Sequence, residues 1–143
     1  MTVKQISVFL ENKPGRLAEF IDILSENKID MRAMSIAETQ DFGILRIIVD
    51  DPEKTAEVVK ASNCVFSITP VLAVAIPDEP GALSDILHTL AKNEISLEYT
   101  YAFITRQEKT AYMVFRVADN DKATEVLSNH GIKLASQDEL FKI

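Results

Sequence analysis

The chain has 143 residues, of which 47% are hydrophobic and 26% are charged, so it is long enough for one ordinary domain or two small ones. Its net charge of −7 disfavours nucleic acid and anionic membrane surfaces as partners, because both attract basic proteins. It has no apolar run of the ~18 residues that a transmembrane helix needs. The N-terminus does not resemble a secretion signal, and Cys64 is the single cysteine. We therefore expect a cytoplasmic protein with no membrane partner.

The first predicted elements are a strand and a helix joined by a tight turn. Ile6, Val8 and Leu10 recur at the two-residue period of a strand. After Pro14-Gly15, apolar residues recur at the spacing of an amphipathic helix, namely Leu17, Phe20, Ile21 and Leu24. Asn27 ends this pattern, and because asparagine tolerates left-handed backbone we expect it to cap the helix.

Two strands, a second helix and a short strand follow. The strands are predicted over residues 29–38 and 42–49. The helix is predicted to begin at Asp51-Pro52-Glu53, where a capping aspartate precedes a proline and an acid near the positive helix end. The short strand is predicted over residues 64–69.

The second half of the chain repeats this order. "NKPGRLAEF", from Asn12, is matched by "DEPGALSDI", from Asp78, at an offset of 66 residues (78 − 12). The offset rises to 68 beyond a polar hairpin tip, where insertions cost little (Val117 matches Val49). Strands are therefore predicted over 95–104, 110–117 and 132–135.

The end of the chain carries three local signals. Asp119 is predicted to cap the last long helix at its N-terminus, and Gly131 is predicted to follow its C-terminus. Ser136 and Glu139 have the spacing of a capping box, which predicts a last short helical turn.

Each βαββαβ unit of ~65 residues predicts a ferredoxin-like layer, so we expect an α+β protein with antiparallel sheets and helices on one face. We place the two units at residues 1–69 and 70–143. Leu45, Ile47 and Val49 should face the helices, while Ile44 and Ile48 face away. Because an apolar back face is rarely left in water, we expect contact between the units and a homodimer.

The Pro-Gly turn places a glycine between a strand and a helix N-terminus in both units. Free backbone N–H groups there, together with the helix dipole, can bind a small anion such as a carboxylate. Asn12 and Asp78 precede the two glycines by three residues and can accept a hydrogen bond from an ammonium. The pattern predicts a site for a free α-amino acid, although a Pro-Gly turn is also a common way to start a helix.

The stretches "FLENKPGRLAEFIDILSENKIDM" and "AIPDEPGALSDILHTLAKNEISL" resemble the ACT domain, a regulatory module of many enzymes of amino-acid metabolism. The resemblance covers nearly the whole chain as two tandem domains, most like stand-alone ACT pairs that bind amino acids or are acetolactate-synthase-regulator-like. It implies amino-acid binding where the glycine turn of one domain meets a strand of its neighbour. Leu10 and Ile76 stand where some serine-binding members carry His, which favours a more apolar ligand.

The ligand-binding residues expected from the turn and the resemblance are Asn12, Gly15, Arg16, Leu17, Asp30, Asp78, Gly81, Ala82, Leu83 and Ser96. The amides at positions 16–17 and 82–83 would hold the carboxylate. Asn12 or Asp78 would hold the ammonium, helped by Asp30 or Ser96, which follow the apolar residue that opens each second strand.

No nucleophile elbow, phosphate-binding glycine loop or metal-ligand spacing occurs in the sequence, so we expect no catalytic residues, no cofactor and no metal. The predicted function is a non-catalytic amino-acid sensor or regulatory protein, whose partners are a free amino acid, a second copy of the chain and an amino-acid biosynthetic enzyme. The alternatives are an interaction module that docks on such an enzyme without its own ligand, and a small enzyme with a novel site.

Overall fold

The structure, a computed structural model, describes residues 1–143 apart from the side chain of Phe141. The chain divides into two compact units. The first unit comprises Lys4–Thr69, and the second comprises Pro70–Ile143 together with Met1–Val3.

The first unit has the predicted order of elements. They are β1 (Val3–Glu11), α1 (Arg16–Glu26), β2 (Met31–Glu38), β3 (Phe42–Val49), α2 (Pro52–Ala61) and the beginning of β4 (Phe66–Pro77). The strands lie in the order β2-β3-β1-β4, and β3 is antiparallel to both β1 and β2. Leu45 of β3 lies opposite Val8 of β1 and Ile36 of β2.

The second unit repeats this arrangement with the remainder of β4. Its further elements are α3 (Ala82–Lys92), β5 (Leu97–Ala102), β6 (Thr110–Val117), α4 (Asn120–Asn129), β7 (Leu134–Ala135) and a 3-10 helix (Gln137–Lys142). β4 pairs with β7 and β6, and β6 pairs with β5, all antiparallel. The predicted α+β class, two βαββαβ units with antiparallel sheets, is confirmed.

An apolar core lies between the helices and the sheet of each unit. In the first unit, Phe20 and Leu24 of α1 pack with Leu45, Ile47 and Val49 of β3, which confirms the predicted facing of that strand. In the second unit the corresponding core is formed by Ile86, Leu90, Phe115, Val117 and their neighbours.

The opposite face of the sheets is also buried at several apolar positions. Ile48 and Val114 are fully buried, and Tyr112 is nearly so, but none of them belongs to the helix-side cores. The expectation that apolar side chains on this face are removed from water is therefore confirmed at these positions.

The second helix of each unit begins with the predicted aspartate cap. The Asp51 carboxylate accepts a hydrogen bond from the Lys54 amide at 3.0 Å, and the Asp119 carboxylate accepts one from Lys122 at the same distance. Gly131 has a left-handed φ of 73° after α4, as predicted.

Two other capping predictions are confirmed only in part, because Asn27 does cap α1 and a short 3-10 helix does follow Ser136. Asn27 lacks the left-handed backbone, having a φ of −93°, and its side-chain amide donates to the Ile23 carbonyl at 2.8 Å. The left-handed conformation falls on the next residue, Lys28, at φ 55°. Ser136 makes no side-chain cap, and the carboxylate of its proposed partner, Glu139, lies 3.7 Å from a lysine, Lys133.

Candidate functional site

The two Pro-Gly turns have the same backbone conformation. Gly15 has φ 82° and ψ −11°, and Gly81 has φ 90° and ψ −18°, in the left-handed region that glycine enters without steric cost. A Cβ added to either glycine would meet no atom within 4 Å. The backbone conformation, rather than crowding, is therefore what requires glycine at these positions.

The hydrogen bonds of the two turns also repeat. In the first turn the Lys13 amide donates to the Glu11 carbonyl at 2.9 Å, and the Arg16 amide donates to the Lys13 carbonyl at 3.2 Å. The Glu19 amide then donates to the Gly15 carbonyl at 3.0 Å. The second turn repeats these three bonds at 2.9, 3.3 and 3.0 Å, so the duplicated sequence forms a duplicated structure.

The amides that remain open to a ligand lie one residue deeper than predicted. Arg16 and Ala82 do not offer a free N–H, because each closes its own turn. Within the described part of the chain, the amides of Leu17 and Ala18 have no hydrogen-bond acceptor, and the same holds at positions 83 and 84 of the second turn. Each helix N-terminus therefore presents two unpaired donors at its positive end.

A pocket of about 170 Å³ adjoins the first turn. It is lined by Leu10, Glu11, Asn12, Lys13, Leu17, Ile36, Gly43 and Leu45. The volume is comparable to the roughly 150 Å³ of a protein cavity that accepts benzene, so a small apolar group fits. Asn12 is exposed at the rim, and its side chain has no hydrogen-bond partner among the described residues.

An ion pair borders this pocket. The Lys13 ammonium lies 2.6 Å from the Glu11 carboxylate. Hydrogen bonding and attraction between the two groups lower the pKa of Glu11 and raise the pKa of Lys13. Both side chains are therefore charged at neutral pH and can contribute to the charge pattern at the mouth of the pocket.

Two positions that line this pocket carry different side chains in the second unit. Gly43 and Leu45 of the first unit correspond to Ala111 and Met113 (offset 68), and both of these pack against the second core. The two repeats therefore differ in the side chains at these two positions beside the turn.

Asp30, a predicted site residue, lies at the far end of the sheet from the turn of its own unit. It precedes Met31, which pairs with Val49, whereas the turn follows Glu11, which pairs with Phe42. Seven residues of β3 separate the two ends, which is about 23 Å at the rise of a strand.

Asp30 makes contacts with nearby residues of its own unit, and Ser96 is its counterpart in the second unit. The Asp30 carboxylate lies 3.4 Å from the Arg32 guanidinium, and the Asp30 amide donates to the Asp50 carboxylate at 3.1 Å. Ser96 immediately precedes β5, opposite the end of β6 at Val117. Neither residue is brought to the glycine turn of its own unit, so only a turn in a different domain can meet it.

The part of the chain that the structure describes contains neither a group of metal ligands nor a membrane-spanning helix. No three side chains among His, Cys, Asp and Glu are grouped so that they could hold a metal ion. None of its helices has the length and apolar character required to cross a membrane.

Comparison with known proteins places these features in a family. The family model for the ACT domain pair matches residues 1–143. The solved structure of protein BT0572 from Bacteroides thetaiotaomicron is 38% identical, with a TM-score of 0.92 over 100% of this chain and 98% of that chain. No curated protein matches the sequence significantly.

Two more distant solved structures share the fold. The regulatory subunit of aspartate kinase from Thermus thermophilus, in its ligand-free form, is 14% identical, with a TM-score of 0.65 over 88% of this chain and 90% of that chain. Aspartate kinase from Synechocystis is 20% identical, with a TM-score of 0.59 over 95% of this chain and 28% of that chain. The repeated fold, the duplicated glycine turns and the match over the full sequence agree: the chain belongs to the ACT domain pair family.

Proposed function

We propose that this protein is a non-catalytic regulator that binds a free amino acid at its glycine turns, with residues 1–69 and 70–143 as its two ACT domains. The observation that carries the proposal is the pair of unpaired amides at each helix N-terminus, held there by a left-handed glycine. Family membership supports a regulatory role.

The first turn offers one group for each part of an amino acid. The amides of Leu17 and Ala18, at the positive end of α1, would hold the α-carboxylate. The Asn12 side-chain oxygen would accept a hydrogen bond from the α-ammonium. Leu10 and Leu45 line the adjoining pocket, so a small apolar ligand side chain would be buried there.

The second turn would hold an amino acid with a different preference. The amides of Leu83 and Ser84 replace those of the first turn, and the Asp78 carboxylate replaces the neutral Asn12 side chain. A carboxylate interacts more strongly with an ammonium than an amide does. Because Ala111 and Met113 replace Gly43 and Leu45 beside the turn, the preferred ligand side chain would differ from that of the first site.

Asp30 and Ser96 would complete such a site only from a domain other than the one that contributes the turn. A second copy of the chain can supply them, which is why we propose a homodimer. A ligand that bridges two domains binds one arrangement of them more tightly than another, and this difference would transmit the signal. The regulated partner would be an amino-acid biosynthetic enzyme.

Thermal unfolding in the presence of each of the twenty amino acids tests the proposal. A ligand at 100 times its dissociation constant stabilises the folded state by about 2.7 kcal/mol, which is readily detected. We expect at least one apolar amino acid to raise the midpoint, and its affinity to fall about tenfold in Asn12→Ala or in Asp78→Ala, according to which turn it occupies. A midpoint that no amino acid raises would refute the proposal.

Docking on an enzyme without a ligand is the second candidate function, because two aromatic side chains are exposed near the first turn. Phe9 and Phe42 are 39% and 41% exposed, and their ring centroids lie 6.0 Å apart. The double variant Gly15→Leu with Gly81→Leu separates the two functions. It would abolish amino-acid binding in the first case and leave docking intact in the second.

A further inference from the structure

A large groove runs along α3 in the second unit and adjoins the second Pro-Gly turn, but Leu83 and Ser84, which carry the free amides, do not line it. Its volume is about 720 Å³, within the range of small-molecule pockets. One wall is the face of α3 formed by Ala82, Asp85, Ile86 and Thr89, and the facing wall is the segment 130–133 that follows α4. The end of β4 forms the floor at positions 75–77.

In the first unit an arginine occupies the equivalent place. Arg16 begins α1, and its guanidinium donates to the Cys64 sulfur at 3.5 Å, which joins the helix to the segment after α2. Its other terminal nitrogen lies 3.9 Å from the Glu19 carboxylate. The Arg16 side chain is only 27% exposed, so it fills space between these two elements.

Comparison of the two units shows which side chains differ at the groove. Ala82 corresponds to Arg16 (82 − 16 = 66), and Ile132 corresponds to Cys64 (132 − 64 = 68). Along the same helix face, Thr89 replaces the larger Ile23 (89 − 23 = 66). Shortening the side chain at position 82 removes the group that fills the first unit, and the groove opens in its place.

The second unit has an acidic residue, Asp85, at the position of Glu19, which lies near Arg16 in the first unit. Asp85 corresponds to Glu19, and Glu79 replaces the basic Lys13 at the entrance of α3 (both at offset 66). Neither acid has an ion-pair partner among the described residues, although Glu19 has Arg16. The α3 wall and the turn before it therefore carry two negative charges that have no ion-pair partner among the described residues, beside Ile86 and across the groove from Ile132.

The basic groups of the groove lie on other elements. Lys133 belongs to the facing segment, and its ammonium is 3.7 Å from the Glu139 carboxylate. Lys109 belongs to the connection between β5 and β6. The His130 ring is held by its contact of 2.8 Å with the Val126 carbonyl. None of these basic residues is on α3 or in the turn before it, where Asp85 and Glu79 lie.

We infer that this groove binds an alkylguanidinium, the group that Arg16 supplies from within the chain in the first unit. The planar guanidinium would pair with the Asp85 and Glu79 carboxylates, and its alkyl stem would lie along Ile86 and Ile132. A free molecule such as arginine and an arginine side chain of another protein both carry this group. The site is distinct from the amides that are proposed to hold an amino-acid carboxylate.

Titration of the full chain with n-butylguanidinium, followed by NMR of the backbone amides, tests the inference. We expect shifts confined to residues 79–89 and 130–133. The neutral isostere n-butylurea has the same shape without the charge, and we expect it to bind at least fivefold more weakly. No shifts in these segments, or equal binding of the urea, would overturn the inference.

Two variants test the contacts. Asp85→Asn keeps the shape of the side chain and should weaken n-butylguanidinium binding about fivefold, the effect of one partly exposed charge pair. Asp121→Asn is the matched control, because Asp121 is the acid in the first turn of α4 and does not line the groove. Ala82→Arg should abolish binding, because the introduced side chain reproduces the first unit. Full binding by Ala82→Arg would contradict the inference.

The source of the guanidinium is resolved by comparing free L-arginine with the blocked peptide acetyl-Gly-Arg-Gly-amide. Tighter arginine binding identifies a small-molecule site, and tighter peptide binding identifies a protein partner. Binding of either that does not depend on Asp85 overturns the proposal. Asn12 belongs to the turn of the first unit and does not line the groove, so n-butylguanidinium binding should be unchanged in Asn12→Ala, and this site and the first amino-acid site can fail independently.

Discussion

Replacing Gly15 by alanine tests whether the left-handed turn holds the amino-acid site. The φ of 82° lies in a region where a residue with a Cβ costs about 1–2 kcal/mol, and the added methyl group would meet no atom within 4 Å. We therefore expect the free energy of unfolding to fall by about 1–2 kcal/mol through the backbone alone. Relief of that strain would rotate the turn and move the free amides of Leu17 and Ala18.

The matched control is Gly131→Ala. Gly131 has a φ of 73° and equally open surroundings, but it follows α4 and does not adjoin the first turn. Urea unfolding should show a similar loss of stability for the two variants. Calorimetric titration with the amino acid found by thermal unfolding should show weaker binding for Gly15→Ala alone. Unchanged affinity in Gly15→Ala would refute the assignment of the site to this turn.

Three further predictions concern packing, capping and charge. Leu24→Ala should lower the unfolding free energy by about 2–5 kcal/mol, because Leu24 is only 1% exposed. Leu87→Ala, at a position that is 37% exposed, should lower it far less. Equal losses in urea unfolding would contradict the core assignment. Asp51→Ala should lower the free energy of unfolding by about 1 kcal/mol, because it removes the helix cap. Asp51→Asn should leave it almost unchanged, since asparagine also caps helices. A large loss of stability in Asp51→Asn would show that the charge of Asp51 matters more than its hydrogen bond. Lys13→Ala should raise the pKa of Glu11 in an NMR titration, because the ion pair lowers it. A lowered carboxyl pKa means that the pair stabilises the fold above the ordinary titration range of Glu11 and is lost as the pH falls through the lowered pKa. An unmoved Glu11 titration would show that Lys13 is not its partner in solution.

Local sequence patterns predicted most of the secondary structure. Strands 42–49 and 110–117 have the predicted bounds, because each is a largely apolar run between polar turn residues. The strands predicted from residues 29 and 95 begin two residues later, at Met31 and Leu97, after left-handed turns at Lys28 and Glu94.

The strand predicted over residues 64–69 was only part of a longer element. β4 runs from Phe66 to Pro77 and passes through Pro70, a residue that ordinarily interrupts a strand. The sequence predicts separate strands on either side of this proline, since pairing partners are not visible locally. In the structure the two segments form one strand, and its second part, from Leu72 onward, pairs with β6.

The faces of the strands and the two glycine turns could be predicted from the amino-acid sequence, since they follow from spacing within a few residues. The repeat and the fold class could also be predicted, since the two halves of the chain match at an offset of 66 residues. Tertiary structure decided which amides stay free, since Arg16 and Ala82 proved to close their own turns. The packing of side chains from distant parts of the chain also sets where a cavity forms. The contact between Arg16 and Cys64 joins residues 48 positions apart, and the groove beside Ala82 is lined by residues of β4, α3 and β6 and of the connections between elements. Volume and hydrogen-bond occupancy depend on residues that are distant in the chain, which no local pattern can report.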